Sequence, residues 1–173
     1  MLLTGASGGV GHYFTELAAA QGAEVSAVVG SEARGTQLLR LGARALLTDI
    51  EQADRDYDVV IESVGGHVFN AAWRRLATRG LFVWMGQAGR RPTSLDFFDR
   101  TGPTSATLRK FLYSDDPVAV ADDLTTLVRL VCLGRLHPEI DSTRDWDQTP
   151  DVLKALLGRQ IRGNAILEVT HDD

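Results

Sequence analysis

The sequence predicts an α/β fold, a doubly wound parallel sheet with helices on both faces. Three observations carry that reading. Short apolar runs of strand length recur at residues 1–3, 23–29, 45–48, 57–63 and 81–85. Most of the gaps between them hold amphipathic patterns of helical period, and such alternation means parallel strands joined by right-handed crossovers. The run 57–63 has a continuous apolar centre, as a strand buried on both faces requires. With 173 residues the chain is one domain's worth, long enough for a real core.

The first element sets the rest. Met1-Leu2-Leu3 runs into Thr4-Gly5-Ala6-Ser7-Gly8-Gly9-Val10-Gly11, and a helical pattern follows at Val10, Phe14, Leu17, Ala18 and Gln21. The turn reads as G-x-G-x-x-G with Ala6 in the first place, or as T-G-x-x-x-G-x-G from Thr4 to Gly11. Strand, glycine turn and helix form the context in which a helix N-terminus receives a dinucleotide pyrophosphate. Glycines let the backbone approach the phosphates, and free N–H groups with the helix dipole attract the charge. A Rossmann-type fold with a bound dinucleotide is therefore expected, in preference to a merely structural loop.

The first helix closes at Gly22, and residues 23–29 make the second strand. This strand ends in Gly30-Ser31, with Glu32 one step on and Arg34 beyond. NAD-binding folds place an acid at such a strand tip to hold the ribose hydroxyls. A small hydroxyl and a nearby guanidinium suit a 2′-phosphate instead, which favours NADP(H) over NAD(H). Ser31 also suits a helix N-cap and Arg34 a solvated first turn, and both roles can hold together. A helix from Glu32 to Leu41 ends at Gly42, and the third strand is short. The polar connection 49–56 is too short for a good helix. The strand 57–63 meets a second glycine turn, Val64-Gly65-Gly66, and Phe69, Ala72, Trp73 and Leu76 form the inner stripe of the next helix. The strand 81–85 ends in a third turn, Gly86-Gln87-Ala88-Gly89.

Beyond Pro103, residues 104–113 read as an edge strand. Asp116-Pro117 pairs an N-cap with proline at N1, and the helix it starts is expected to bury Val120, Leu124, Leu127, Val128 and Val131 before Gly134 stops it. Cys132 lies beside that stripe and is expected to pack. Residues 137–141 look extended. Thr149-Pro150 opens a last helix with Val152, Leu153, Leu156 and Leu157 inward and Gly158 as its stop, and 164–169 form a final strand.

Composition narrows the function. A net charge of −5 argues against a nucleic-acid partner. No apolar run reaches the roughly 18 residues of a membrane span. A single cysteine fits a reducing compartment, and the glycine loop comes too early to leave room for a signal peptide, so a cytoplasmic protein is expected. Short-chain dehydrogenase chemistry needs Tyr-x-x-x-Lys, yet Tyr13, Tyr57 and Tyr113 are followed at that spacing by Leu17, Ile61 and Pro117. Cys132 with the scattered His12, His67, His137 and His171 gives no zinc spacing, so no metal is expected. Gly5-Ala6-Ser7-Gly8-Gly9 resembles a nucleophile elbow only superficially, because no acid and base accompany Ser7. His12, Tyr13 and Trp84 read as structural.

These pieces together resemble the cofactor-binding half of a medium-chain dehydrogenase/reductase, on the quinone-oxidoreductase branch. The resemblance rests on Thr-Gly-Ala-Ser-Gly-Gly-Val-Gly (4–11), Leu41-Gly42-Ala43 and Asp58-Val59-Val60-Ile61-Glu62-Ser63-Val64-Gly65-Gly66. It continues through Gly86-Gln87-Ala88, Gly134-Arg135-Leu136-His137-Pro138 and Arg162-Gly163-Asn164-Ala165-Ile166-Leu167. It implies that Ala6, Ser7, Gly8, Gly9 and Val10, with Gly11, hold the pyrophosphate of NADP(H), and that Ser31 and Arg34 meet its 2′-phosphate. Ser63, Val64, Gly86 and Gln87 would line the ribose and nicotinamide, with Phe111, Leu112 and Tyr113 near the nicotinamide. No catalytic residue is assigned. It further implies an NADP(H)-binding domain over 1–135, and a strand–helix–strand extension over 136–173 that packs toward an N-terminal catalytic domain. The edge strand 104–113 would pair with its twin in a homodimer. The implied reaction is hydride transfer from NADPH to an activated C=C or a quinone, on a small-molecule substrate in the cleft between two domains. Two positions depart from the family: only Arg34 stands where a lysine or tyrosine is usual, and the closing Gly-Lys is Gly163-Asn164. The rival reading is a stand-alone dinucleotide-binding module, a redox sensor, regulatory partner or non-redox catalyst.

Overall fold

In a computed structural model the chain is described over residues 1–96, 98–114 and 120–169. Six strands form one parallel sheet in the order β3-β2-β1-β4-β5-β6: β1 (Leu2–Leu3), β2 (Val25–Val28), β3 (Ala43–Leu47), β4 (Tyr57–Glu62), β5 (Leu76–Trp84) and β6 (Thr107–Lys110). Helices α1 (Gly9–Ala20), α2 (Glu32–Arg40) and α3 (His67–Arg74) are the crossovers, and α4 (Val120–Cys132) follows β6. A parallel pair, β7 (Ile140–Asp145) and β8 (Asn164–Glu168), is joined by α5 (Thr149–Leu157). This is the expected doubly wound sheet. All six strands of the main sheet point the same way, so every loop after a strand opens on one edge.

Alternation along the central strands divides the core in two. Leu2, Val60 and Phe82 face α3, where the Phe69 ring packs tilted against Phe82, centroids 4.7 Å apart. Leu3, Ala27 and Ile61 face the other side, against Phe14 and Ala18 of α1 and Leu38 of α2. Each fully buried side chain of this size contributes about 1.5–3 kcal/mol by leaving water, so this centre holds the sheet edge rigid beneath the loops.

The structure corrects several expectations. Leu76 is buried, but as the first residue of β5 rather than on the α3 stripe, because α3 ends at Arg74. The strand β5 is longer than 81–85 and carries an irregularity. Leu76 pairs with Tyr57 and Leu81 with Val59, and the slack is taken up where Arg79 adopts φ 68°. Within 49–56, Ile50–Gln52 forms a short 3-10 turn capped by Asp49. Gly158 keeps φ −74°, and Arg159 takes the left-handed conformation (φ 55°) beyond α5 instead. The apolar stripe of α4 is not buried: Leu124 is 59% exposed and Val128 53%. Leu153, Leu156 and Leu157 of α5 are exposed as well, and so is Cys132. The pattern predicted these helices correctly, but the described chain leaves most of their apolar faces open, Val152 of α5 being half-buried. The N-cap Asp116-Pro117 and His171 lie outside the described residues.

Only Leu136 and Ile161 are buried beyond Phe82 among the described residues. They anchor the C-terminal unit to the sheet domain, near the paired His137 and Glu16 (Nδ1 to Oε1, 2.5 Å) and the parallel bridge between Gly8 and Gly163.

Candidate functional site

Three glycine turns meet at the C-terminal edge of the sheet. The first, after β1, leaves the strand through Gly5 at φ 62°, a left-handed conformation in which any side chain is strained. A methyl on Gly11 would lie 2.6 Å from the Ala6 Cα, so only glycine lets α1 start this close to the loop. Gly8 caps α1 without any side-chain hydrogen bond, and no acid stands in the first turn. The positive end of α1 is thus not neutralised from within, which fits a phosphate. Ala6, Ser7 and Gly11 are buried, Gly8 and Gly9 half-buried, and Val10 exposed.

The second turn follows β4 and is tied to the first through one carboxylate. Glu62 is fully buried, and its Oε1 accepts from the Thr4 hydroxyl (3.2 Å) and from the amides of Val64 (2.7 Å) and Gly65 (2.8 Å). The Ser63 amide donates to Thr4 Oγ1 at 3.0 Å, and the Ser63 hydroxyl to the Thr4 carbonyl at 3.1 Å. Burial pushes the Glu62 carboxyl above the usual carboxylate range, and the three donated bonds offset this only in part. The partner oxygen Oε2 is buried without a hydrogen bond, which suits a protonated acid.

The third turn follows β5 and locks onto the second. Ala88 donates to the Ser63 carbonyl (2.9 Å) and Gly89 to the Val64 carbonyl (2.7 Å). A Cβ on Gly86 would stand 3.0 Å from that Ser63 carbonyl, so glycine permits the approach. Gln87 is exposed and holds the Arg91 carbonyl at 2.8 Å, while the Trp84 indole closes onto the Gly86 carbonyl at 2.7 Å. Phe111, just past β6, donates to the Trp84 carbonyl at 2.8 Å. Phe111, Leu112 and Tyr113 are exposed on the same edge, Tyr113 at 83%. Ser31 stands exposed past β2. The expected site residues therefore lie along one edge of the sheet, from Ser31 through the glycine loop to Tyr113.

Two contacts support the glycine loop from behind, the first through His12, which was expected to be structural. His12 is buried with its Nδ1 2.9 Å from the Gly8 carbonyl, so that nitrogen carries the proton and steadies the loop from beneath, while Nε2 is buried without a partner. The C-terminal unit also reaches the loop: a Cβ on Gly9 would collide with the Asn164 amide oxygen. Arg34, expected beside a 2′-phosphate, donates to the carbonyls of Arg159 and Ile161, both at 2.7 Å. Glu62 was open to detection, as an acid that closes an apolar strand before a glycine turn. The C-terminal contacts join residues more than a hundred positions apart, and no local pattern announces them.

Comparison with known proteins places this edge in context. Residues 9–131 match the family described as zinc-binding dehydrogenase. Acryloyl-coenzyme A reductase of Metallosphaera sedula is 30% identical over 170 residues, covering 96% of this chain and 50% of that protein. Highly reducing polyketide synthase ZEA2 of Gibberella zeae is 27% identical over 200 residues, covering 99% of this chain and 8% of that protein. The chain thus spans about half of the reductase and under a tenth of the synthase. Among solved structures, Escherichia coli quinone oxidoreductase complexed with NADPH superposes with TM-score 0.82 at 21% identity, over 96% of this chain and 56% of that one. Bacillus subtilis protein yhfP with NAD bound gives 0.75 at 22%, over 97% of this chain and 54% of that one. At such identities the likeness is one of fold. Among the described residues no group of three or more His, Cys, Asp or Glu is placed to hold a metal. These donors do not fit the zinc in the family's description, and no step is assigned to one.

Proposed function

The chain belongs to the zinc-binding dehydrogenase family, and on that premise we propose that it is the NADP(H)-binding domain of a quinone-oxidoreductase-like or enoyl-reductase-like enzyme. The observation that carries the proposal is that three glycine turns lock together at one sheet edge, the first of them opening α1 with no side chain capping its N-terminus. In this reading the amides of the 6–11 loop bind the pyrophosphate. Ser63, Val64, Gly86 and Gln87 line the ribose and nicotinamide, and Phe111 and Tyr113 border the ring. Ser31 is the hydroxyl offered to the 2′-phosphate.

When bound, the nicotinamide supplies a hydride, here for an activated C=C or a quinone. The residues of this chain bind and orient: the Glu62–Thr4–Ser63 cluster fixes the two turns that set the ring's position relative to the pyrophosphate. The neighbour carrying NADPH and the acryloyl-coenzyme A reductase relative support this reading. We further propose that 136–173 is an extension facing a catalytic domain, that the protein forms a homodimer through 104–113, and that it works in the cytoplasm on a small-molecule substrate.

Calorimetric titration with NADPH and, separately, with NADH tests the cofactor. NADPH should bind at least tenfold more tightly, about 1.4 kcal/mol. Equal affinities would remove the NADP(H) preference, and no binding of either would remove the dinucleotide site.

A further inference from the structure

Arg34 presents a different chemistry from the one its position suggests. Its guanidinium spans α2 and the segment ahead of β8, with Nη1 on the Arg159 carbonyl and Nη2 on the Ile161 carbonyl, both at 2.7 Å. A planar fork suits two acceptors held at fixed spacing, and bonds from a charged donor are among the strong ones. The segment it grips leads directly to the glycine loop. Ile161 is buried, the Arg162 amide donates to Asp141 Oδ1 (3.2 Å), and the Arg162 guanidinium pairs with Glu139 at 2.7 Å. Gly163 then bridges to Gly8, and the Asn164 amide oxygen lies where a side chain on Gly9 would be. The Asn164 backbone N–H donates to the Glu139 carbonyl at 2.9 Å, and its side-chain Nδ2 donates to the same oxygen at 3.3 Å.

We infer that Arg34 is a positioning residue, which fastens residues 159–161 to α2 so that Gly163 and Asn164 close on the glycine loop. It is not the reader of the 2′-phosphate. The inference rests on the dinucleotide site proposed above. Each Nη spends one N–H on a carbonyl, which aims the fork at residues 159 and 161. The grip acts on the loop that serves the pyrophosphate, which NADPH and NADH share. Discrimination between the two cofactors then falls to Ser31 and the backbone at the tip of β2.

The test uses Arg34→Ala and Arg34→Lys beside the unmodified chain. Lysine keeps the charge a phosphate would use and loses the fork that spans two carbonyls. Amide hydrogen exchange without ligand should rise at residues 160–164 and 8–10 in both variants. Calorimetry should show NADPH and NADH weakened by the same factor, on the order of tenfold. A loss confined to NADPH, restored by lysine, with exchange unchanged, would overturn the inference in favour of direct phosphate recognition. If the unmodified chain binds neither cofactor, the dinucleotide reading fails. The exchange data then decide the grip alone, which is upheld if exchange rises and overturned if it does not.

Discussion

Glu62 is an acid whose carboxyl is held by burial above the usual carboxylate range. Oε1 collects three hydrogen bonds that would favour the anion, yet full burial and the unpartnered Oε2 favour the protonated form, and burial is the larger effect. The sign for stability follows. A carboxyl whose folded pKa exceeds its unfolded value binds more protons in the native state. Stability is therefore fullest below the unfolded value, near 4.5, and falls as pH rises toward the folded one. Glu62→Gln keeps an oxygen for the three donors and places an amide where the acid proton would be. Urea unfolding followed from about pH 4.5 to 8 should show the native chain losing stability relative to this variant as pH rises. Parallel curves would mean that Glu62 is ionised in the fold.

Among the elements, what the sequence disclosed depended on how local its cause was. The glycine turns, the apolar runs of β4 and β5 and the stop glycines are local. Gly22 (φ 85°), Gly42 (φ 97°) and Gly134 (φ 63°) all adopt the conformation their positions suggested. The long-range contacts of Arg34 and Asn164 left no local trace, and the site residues could be placed on one edge but not paired with one another. The helices α4 and α5 show the opposite limit: periodicity predicted the helix and its apolar face but not whether that face is covered. A direct contrast follows for stability. Leu124→Glu should change the unfolding free energy of this chain by no more than about 0.5 kcal/mol, as exposed substitutions do. Phe82→Ala, at the buried junction with Phe69 and Trp73, should cost about 3–5 kcal/mol. Denaturant midpoints compare the two, and a costly Leu124→Glu would show that something covers α4.

For the molecule as a whole, buried residues gather in the first half of the chain, while apolar faces from Leu108 onward stay open to solvent. The edge of β6 belongs to this open region, and its backbone shows how a second copy would join. Phe111 donates to the Trp84 carbonyl, so by alternation Arg109 also faces β5, while the amides of Leu108 and Lys110 point away from the sheet. An unpaired strand edge of this kind is a template for another strand. In a two-fold pair the twin β6 strands would run antiparallel and continue the sheet across both copies. Lys110→Pro removes one outward donor, and proline is tolerated at a sheet edge where no internal bond is lost. Sedimentation at micromolar concentration should find the native chain dimeric and the Lys110→Pro chain shifted toward monomer, with unchanged circular dichroism. A native chain that sediments only as monomer removes the homodimer. A dimer indifferent to Lys110→Pro moves the contact from the β6 edge to the apolar faces of α4 and α5.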